Sequence, residues 1–492
     1  MEIVEMMAKT FPKRVESFIG GRFIPQKQND RIFVLSPITG NEIYTIPRSG
    51  ESEICTAQKF ADSAFMKWKN TAASTRSAVL NLIAQVIEEN CEVLAQIEVI
   101  DTGRLLTDAR KEIASAAQYF KYFASCIVVQ EGAAAQVNDV LSINLHEPLG
   151  VIGVILPWNF PLLMFSWKVA PIIAAGNVVI IKPSELACIA VIKLMELIGD
   201  KIPKGLINVI LGDGDQTGFN LLKYGRFQKI SFTGNANTGR KISSCLAQKL
   251  TPVSLEMGGK SACIVTQDVF KHDRNFVESC IKNILKFTYN QGQVCGNLSR
   301  LIVHSTVFDK LMSQITIYLN DFSVGDPRLK VSNMGPLISN INIDRISKLL
   351  SVAKSEGADL EYFDKTVKLT EECKNGFYFP PVLVKGDHSM NIYQEEIFGP
   401  ILCCDKYESL EEAVALANNT VYGLTSSVWT RDITEINFLI KNLVSGKVWV
   451  NTAHVYYPHT KFGGVKGSGL SNEMHKSALN EYQYVKNIVQ KY

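Results

Sequence analysis

Between Glu53 and Phe123, apolar residues recur at i, i+3 and i+4, first in "EICTAQKFADSAFMKW" and then in "TRSAVLNLIAQVIEENCEVLAQIEVIDTG". That spacing lays one apolar stripe along a helix, so the region is predicted to be helical. The pattern changes in "QVNDVLSINLHEPLGVIGVILP", whose first half alternates as a strand does. Strand-then-helix units follow. "NVVIIKPSE" is a short apolar run that meets a turn, and "ELACIAVIKLMELIGDKI" continues as an amphipathic helix with Ser184 as its expected N-cap. "INVILGDGDQTGFNLLKY" and "KISFTGNANTGRKISSCLAQKL" repeat the plan. This alternation predicts a parallel sheet with helices on its faces. A second series starts near Ser261, with a helix in "DRNFVESCIKNILKFTYN", a strand in "SRLIVHS" and a helix from Val307. It ends with "SLEEAVALANNT", "EINFLIKNLVSG" and "KVWVNTA". No Pro/Ser-rich linker divides the halves; the boundary near Glu256–Lys260 is placed where the series restarts.

Length supports that division, because 492 residues exceed the ~250–300 at which one core stops growing. Hydrophobic residues make up 46% and charged residues 20%, the balance of a soluble globular protein. A formal net charge of +3 gives no reason to invoke nucleic acid or an anionic membrane. The 11 cysteines are odd in number and lack CxxC spacing, and the 7 histidines are scattered, so free thiols in a reducing compartment and no metal are expected. "MEIVEMMAKTFPKRVESFIGG" mixes Glu and Lys into its apolar residues and does not read as a signal peptide. The long apolar stretch from Leu149 is broken by Pro157, Asn159, Pro161, Lys168, Pro171 and Asn177, short of the ~20 clean residues a membrane span needs. A cytoplasmic protein is expected.

One cysteine stands apart. Cys263 sits in apolar "ACIV", whereas Cys295 is the centre of "NQGQVCGNLSR", polar and broken by glycine. On composition alone it is an ordinary loop residue. A dinucleotide fingerprint G-x-G-x-x-G is absent, and "GDGDQTG" is a near miss read as a strand-to-helix turn. "SFTGNANTG" brackets a βα turn with Gly234 and Gly239, where helix N–H groups attract phosphate. "KPSE" places Lys182 and Glu185 at a strand end, where ligands bind in open α/β sheets. A carboxylate there suits two ribose hydroxyls and repels a 2′-phosphate; helix capping explains Ser184 and Glu185 equally well.

Seven segments together resemble the aldehyde dehydrogenase superfamily. They are "PWNFP", "KPSE", "FTGNANTG", "LEMGGKS", "NQGQVC", "EEIFGP" and "KFGGVKGSG", in the family's order and spacing over nearly the whole chain. The resemblance implies a Rossmann-like dinucleotide-binding domain, a second α/β catalytic domain and a small β oligomerisation arm. It assigns 1–136 and 154–258 to cofactor binding, 137–153 and 458–492 to the arm, and 259–457 to catalysis. Cys295 matches the nucleophile, and a thiolate suits that role. Asn159 matches the oxyanion donor beside the Cys295 N–H, with Lys168 as a supporting lysine near that asparagine. Glu256 matches the base that activates water against a Cys295 thioester, and Glu473 a second glutamate that assists proton transfer. Lys182 and Glu185 would hold the adenosine ribose, Gly234, Asn235 and Gly239 the pyrophosphate region, Glu396 and Phe398 the nicotinamide ribose, and Trp158 the cleft wall. Glu185 implies NAD rather than NADP. Phe160, Trp167, Tyr456 and Phe462 would line the aldehyde tunnel.

The C-terminal run most resembles the acetaldehyde and short-chain branch, with a betaine-aldehyde-type activity as the alternative because aromatic walls also suit a quaternary ammonium. A homodimer or homotetramer is implied. Departures are Asn235 after "FTG", Gly296 after the nucleophile, and Ser471 and Asn472 in "SGLSNE". A CoA-acylating enzyme has no need of Glu256, and a cysteine hydrolase needs a histidine that no motif supplies. A non-enzymatic protein on the same fold is the alternative of a different class.

Overall fold

The computed structural model describes residues 13–26 and 30–491; most of the segment "MEIVEMMAKTFPKRVESFIGG" lies outside the described residues. The early helical region is four helices, Glu51–Trp68, Ala73–Glu89, Cys91–Thr102 and Leu106–Val128. The third ends at Gly103, whose φ of +74° closes the helix and where an added Cβ would strike Pro336.

The first sheet has seven strands in the order Val253–Glu256, Lys229–Thr233, Val151–Ile155, Val178–Lys182, Ile207–Val209, Ser17–Ile19, Arg22–Ile24. Its first five strands run parallel and the last two antiparallel. The stretch from Val151 to Lys182 is a buried strand, a loop, the helix Pro161–Ala174 and a second buried strand. Among the described residues no helix is long and apolar enough to cross a membrane.

One local expectation is revised. Helix 189–198 starts at Ile189, so Ser184 is not its N-cap; the Ser184 hydroxyl accepts instead from the Leu186 N–H at 3.3 Å. The orphan N–H of Ile189 is taken by Asp101 from another helix, 3.0 Å away, a remote cap that local sequence does not reveal. "GDGDQTG" is a wide turn held by Asp213, which accepts from Gln216 N–H at 2.7 Å and pairs with Arg48 at 2.6 Å. Its structural reading therefore suffices.

The second sheet runs Asp359–Tyr362, Val382–Lys385, Ile401–Tyr407, Arg300–His304, Ala262–Val265, Thr425–Trp429, Lys447–Val450, parallel except for the first strand. Only Met257–Ser261 separates the last strand of the first sheet from the first of the second. Strands Ala133–Val137, Val140–Pro148 and Gln483–Lys491 form a separate antiparallel sheet in which the chain's end pairs with residues 140–148. Val137, Val485 and Val489 are exposed on it.

Candidate active site

Parallel strands leave their carboxyl ends on one edge, and three of those ends build a cleft. Strand 151–155 delivers Trp158, Asn159 and Phe160; strand 229–233 delivers Gly234 and Asn235; strand 253–256 delivers Glu256 itself. These residues line a cavity of about 550 Å³ together with Cys295, Glu396 and Phe398 from the second half of the chain. The Trp158 and Phe398 rings meet edge to face at 5.4 Å. Glu396 accepts the Gly259 N–H at 3.3 Å, and burial pushes its carboxyl up to about 7. A Cβ on Gly258 would sit on that carboxylate, so glycine is what lets Glu396 enter. Thr233 of "FTGNANTG" lines the cleft too, and Asn342, Arg345 and Tyr422 do so without any motif to announce them.

Three residues assigned to the cofactor fall outside this lining. Lys182 is buried, donating to Pro183 O at 3.2 Å and facing Glu185 at 3.4 Å, while Glu185 is partly exposed. Gly239 is pressed against Met257, whose sulfur would lie 2.5 Å from an added Cβ, so its small size serves helix-to-sheet packing. The Asn235 side chain caps its own helix, accepting from Asn237 N–H at 2.8 Å.

Cys295 follows a tight reversal in which Asn290 and Gln291 adopt φ of +46° and +57° and Gly292 of +71°. Asn159 Nδ2 donates to Gln293 O at 2.9 Å, and Asn290 Nδ2 donates to Asn159 O at 3.0 Å. Arg104 reinforces the same carbonyl: buried between Glu98 and Glu112, it donates to Asn159 O and stacks 4.9 Å from the Phe160 ring. The two halves of the chain are thus tied at the Asn159 backbone. Burial, then Glu256 and Glu396, push the Cys295 thiol up to about 12.

Glu256 is buried, and neither carboxylate oxygen has a hydrogen-bond partner among the described residues. Burial first, then the nearby Glu473, raises its carboxyl well above the usual range, while Lys168 opposes the rise. Lys168 is completely buried and pairs with Glu473, with Ser231 Oγ accepting at 2.8 Å. Its ammonium is therefore engaged by the Glu256–Glu473 side of the site rather than by the Asn159 amide.

A second cavity, about 190 Å³, is lined by Phe160, Trp167, Tyr456 and Phe462, with Tyr119, Tyr289 and His454 added by the structure. Cys295, Glu256, Thr233, Phe160 and Met164 line both cavities, so the thiol and the carboxylate stand where the two join. The Gly296 departure has a steric reason: a Cβ there would lie 2.9 Å from the Tyr456 hydroxyl. Ser471 and Asn472 pack on Gly463, where an added Cβ would meet Ser471 O at 2.4 Å and Asn472 Oδ1 at 2.9 Å. A larger cavity of about 850 Å³ beside Met312 and His388 contains none of the residues singled out by sequence.

The family model for the aldehyde dehydrogenase family matches residues 23–488. An acetaldehyde dehydrogenase from Pseudomonas aeruginosa is 38% identical over 98% of this chain and 96% of its own. Aldehyde dehydrogenase B from Escherichia coli is 37% identical over 97% and 94%. The crystal structure of betaine aldehyde dehydrogenase from Staphylococcus aureus in complex with NAD+ superposes with a TM-score of 0.94 at 30% identity, covering 100% of this chain and 98% of that one.

Proposed function

The chain belongs to the aldehyde dehydrogenase family, and on that premise we propose that it oxidises a short-chain aldehyde to the carboxylic acid with NAD. The observation that carries this reading is that Cys295 and Glu256 line both cavities at their junction. One cavity then holds cofactor and the other substrate, with the thiol reaching both.

The larger cleft fits a dinucleotide in shape and chemistry. Trp158 and Phe398 wall it, Gly234 opens its floor to close backbone approach, and the buried Glu396 carboxylate offers an acceptor for ribose hydroxyls. NAD bound there would supply the two-electron acceptor that turns the thiol adduct into a thioester. Lys182 and Glu185 extend the site beyond the cleft toward an adenosine ribose, and the Glu185 charge disfavours a 2′-phosphate.

The Cys295 sulfur adds to the aldehyde carbon after losing its proton, and Glu256 is the unpaired base within reach of that proton. The resulting oxyanion is met by Asn159 Nδ2 and the Cys295 N–H; one such donor is typically worth ~10²–10³ in rate. Once the thiol's proton has passed on from it, Glu256 deprotonates the water that releases the acid from Cys295. Glu473, already joined to Lys168, relays the proton onward.

A short substrate follows from a tunnel of about 190 Å³ walled by Trp167, Tyr456 and Phe462. The same aromatic wall supports a second reading, a betaine-aldehyde-type activity. Steady-state rates with acetaldehyde, propanal and betaine aldehyde, each with NAD and NADP, separate these. The proposal expects acetaldehyde or propanal with NAD to win on kcat/KM; faster turnover with NADP, or with betaine aldehyde, overturns that part. We also place the protein in the cytoplasm as a homodimer or homotetramer joined through the sheet of residues 133–148 and 483–491, whose exposed valines need cover. A monomeric mass by light scattering at micromolar concentration contradicts the assembly.

A further inference from the structure

Arg104 is 1% exposed, stands in no motif and has no part in the chemistry above. Taking a guanidinium out of water is costly, so its partners show what the burial serves. Its three nitrogens go three ways. Nε donates to Thr102 Oγ1 at 3.1 Å, Nη1 is paired with the Glu98 and Glu112 carboxylates, and Nη2 donates to the Asn159 carbonyl. The guanidinium carbon lies 4.9 Å over the Phe160 ring. Neutralising two carboxylates requires a cation, but it does not require a donor on Asn159 O.

The partners belong to both sides of the reaction centre. Glu98 Oε1 accepts the Leu162 N–H at 2.9 Å and so fixes the first turn of the helix that follows Asn159. Glu112 accepts from the hydroxyl of Tyr289, on the segment that leads to Cys295. Beside Arg104, Gly103 O accepts Gln291 Nε2 at 2.9 Å, from the reversal that turns the chain into Cys295. The short break between helices Cys91–Thr102 and Leu106–Val128 thus holds the Cys295 loop through Gly103 and the Asn159 turn through Arg104.

Asn159 has a narrow condition to meet. Its amide must stand within hydrogen-bond reach of an oxyanion on the carbon that bonds to the Cys295 sulfur. One amide hydrogen goes to Gln293 O at 2.9 Å, which leaves the other for that oxygen. The aim of the amide is set by its own backbone, whose carbonyl is held by Arg104 and Asn290. A misplacement of about 1 Å in such a group can cost ~10²-fold in rate.

We propose that Arg104 is a positioning residue, which fixes the Asn159 amide against Cys295 by holding the Asn159 carbonyl. This rests on the dehydrogenase reading above and adds to it a residue outside every motif. A guanidinium suits the task because separate nitrogens in one rigid fork serve partners in different directions. A lysine has one nitrogen and satisfies the carboxylates alone.

The test is a double-mutant cycle on kcat/KM for acetaldehyde at saturating NAD. Arg104→Lys keeps a cation between Glu98 and Glu112, gives up the fork, and should lose roughly ten- to a hundredfold with the KM for NAD unchanged. Asn159→Ala should lose ~10²–10³. Because Arg104 acts through Asn159, adding Arg104→Lys to Asn159→Ala should cost no more than about twofold further. A merely structural role would multiply the two losses. Where Arg104→Lys does not fold, Arg104→Met combined with Glu98→Gln and Glu112→Gln leaves no unpaired charge and enters the same cycle. No loss on Arg104→Lys, an equal loss in both backgrounds, a loss confined to the KM for NAD, or failure of both variants to fold overturns this assignment while leaving the dehydrogenase reading intact. No NADH from acetaldehyde or any other aldehyde with the wild-type enzyme overturns both.

Discussion

Lys168 closes on Glu473 inside the protein, and that pair faces Glu256 rather than Asn159. A fully buried ammonium is tolerated because a carboxylate and the Ser231 hydroxyl receive it. Lys168→Met removes the cation and strands Glu473. Losing one partner of such a pair costs about 3–5 kcal/mol, which chemical denaturation should register. The second consequence is catalytic: without the ammonium, the Glu256 carboxyl rises further, so the rate–pH profile should move to higher pH. An unshifted profile with full stability would show that the pair serves neither end.

Glu256→Gln removes the base while keeping the shape of the buried side chain. A positioned base contributes typically ~10²–10⁴-fold, and steady-state turnover should fall within that range. Rapid-mixing measurements should retain a burst of NADH if Glu256 acts chiefly in hydrolysis of the thioester. Loss of the burst with the same fall in turnover would move its work to the earlier step, activation of the thiol.

The Tyr456 hydroxyl fills the space a side chain at position 296 would need. Gly296→Ser should therefore lower kcat/KM for the aldehyde several-fold, with little change in the KM for NAD. Adding Tyr456→Phe removes the colliding oxygen and should recover part of the loss. Additive losses in the double variant would separate the two positions.

Burial raises Glu396 to about 7 from an ordinary value near ~4.3. The raised value means the folded protein favours the protonated form. Its stabilising share is complete below the unfolded pKa and is lost as pH rises through about 7. In the absence of NAD, Glu396→Gln should flatten the fall in melting temperature between pH 5 and pH 8. A variant that tracks the wild type across this range would show that Glu396 is not held protonated.

Much of this architecture is legible in the chain because its periodicities are strong. The helices at Glu51–Trp68 and Leu106–Val128 and the strands at Val178–Lys182 and Ala262–Val265 are all marked by apolar spacing. The motif order brings Cys295, Glu256 and Asn159 into view, but not what surrounds them. Asp101 caps a helix 88 residues away, Arg104 grips the Asn159 carbonyl from an element without a motif, and His454 enters the cavity through a strained loop. Such contacts depend on tertiary packing, which local spacing does not encode. The thiol illustrates the gap best. Its polar sequence neighbours are themselves buried and spend their amides on backbone carbonyls, Asn290 on Asn159, Gln291 on Gly103 and Asn297 on Phe287, leaving the sulfur in a pocket where two carboxylates oppose its ionisation.

The central claim is that the Cys295 sulfur forms the bond through which the aldehyde is oxidised. Cys295→Ser keeps size and polarity and replaces that sulfur with a much weaker nucleophile. With NAD binding shown intact by quenching of Trp158 fluorescence, aldehyde-dependent NADH formation should fall to background. NADH formation at the wild-type rate from that variant would contradict the account.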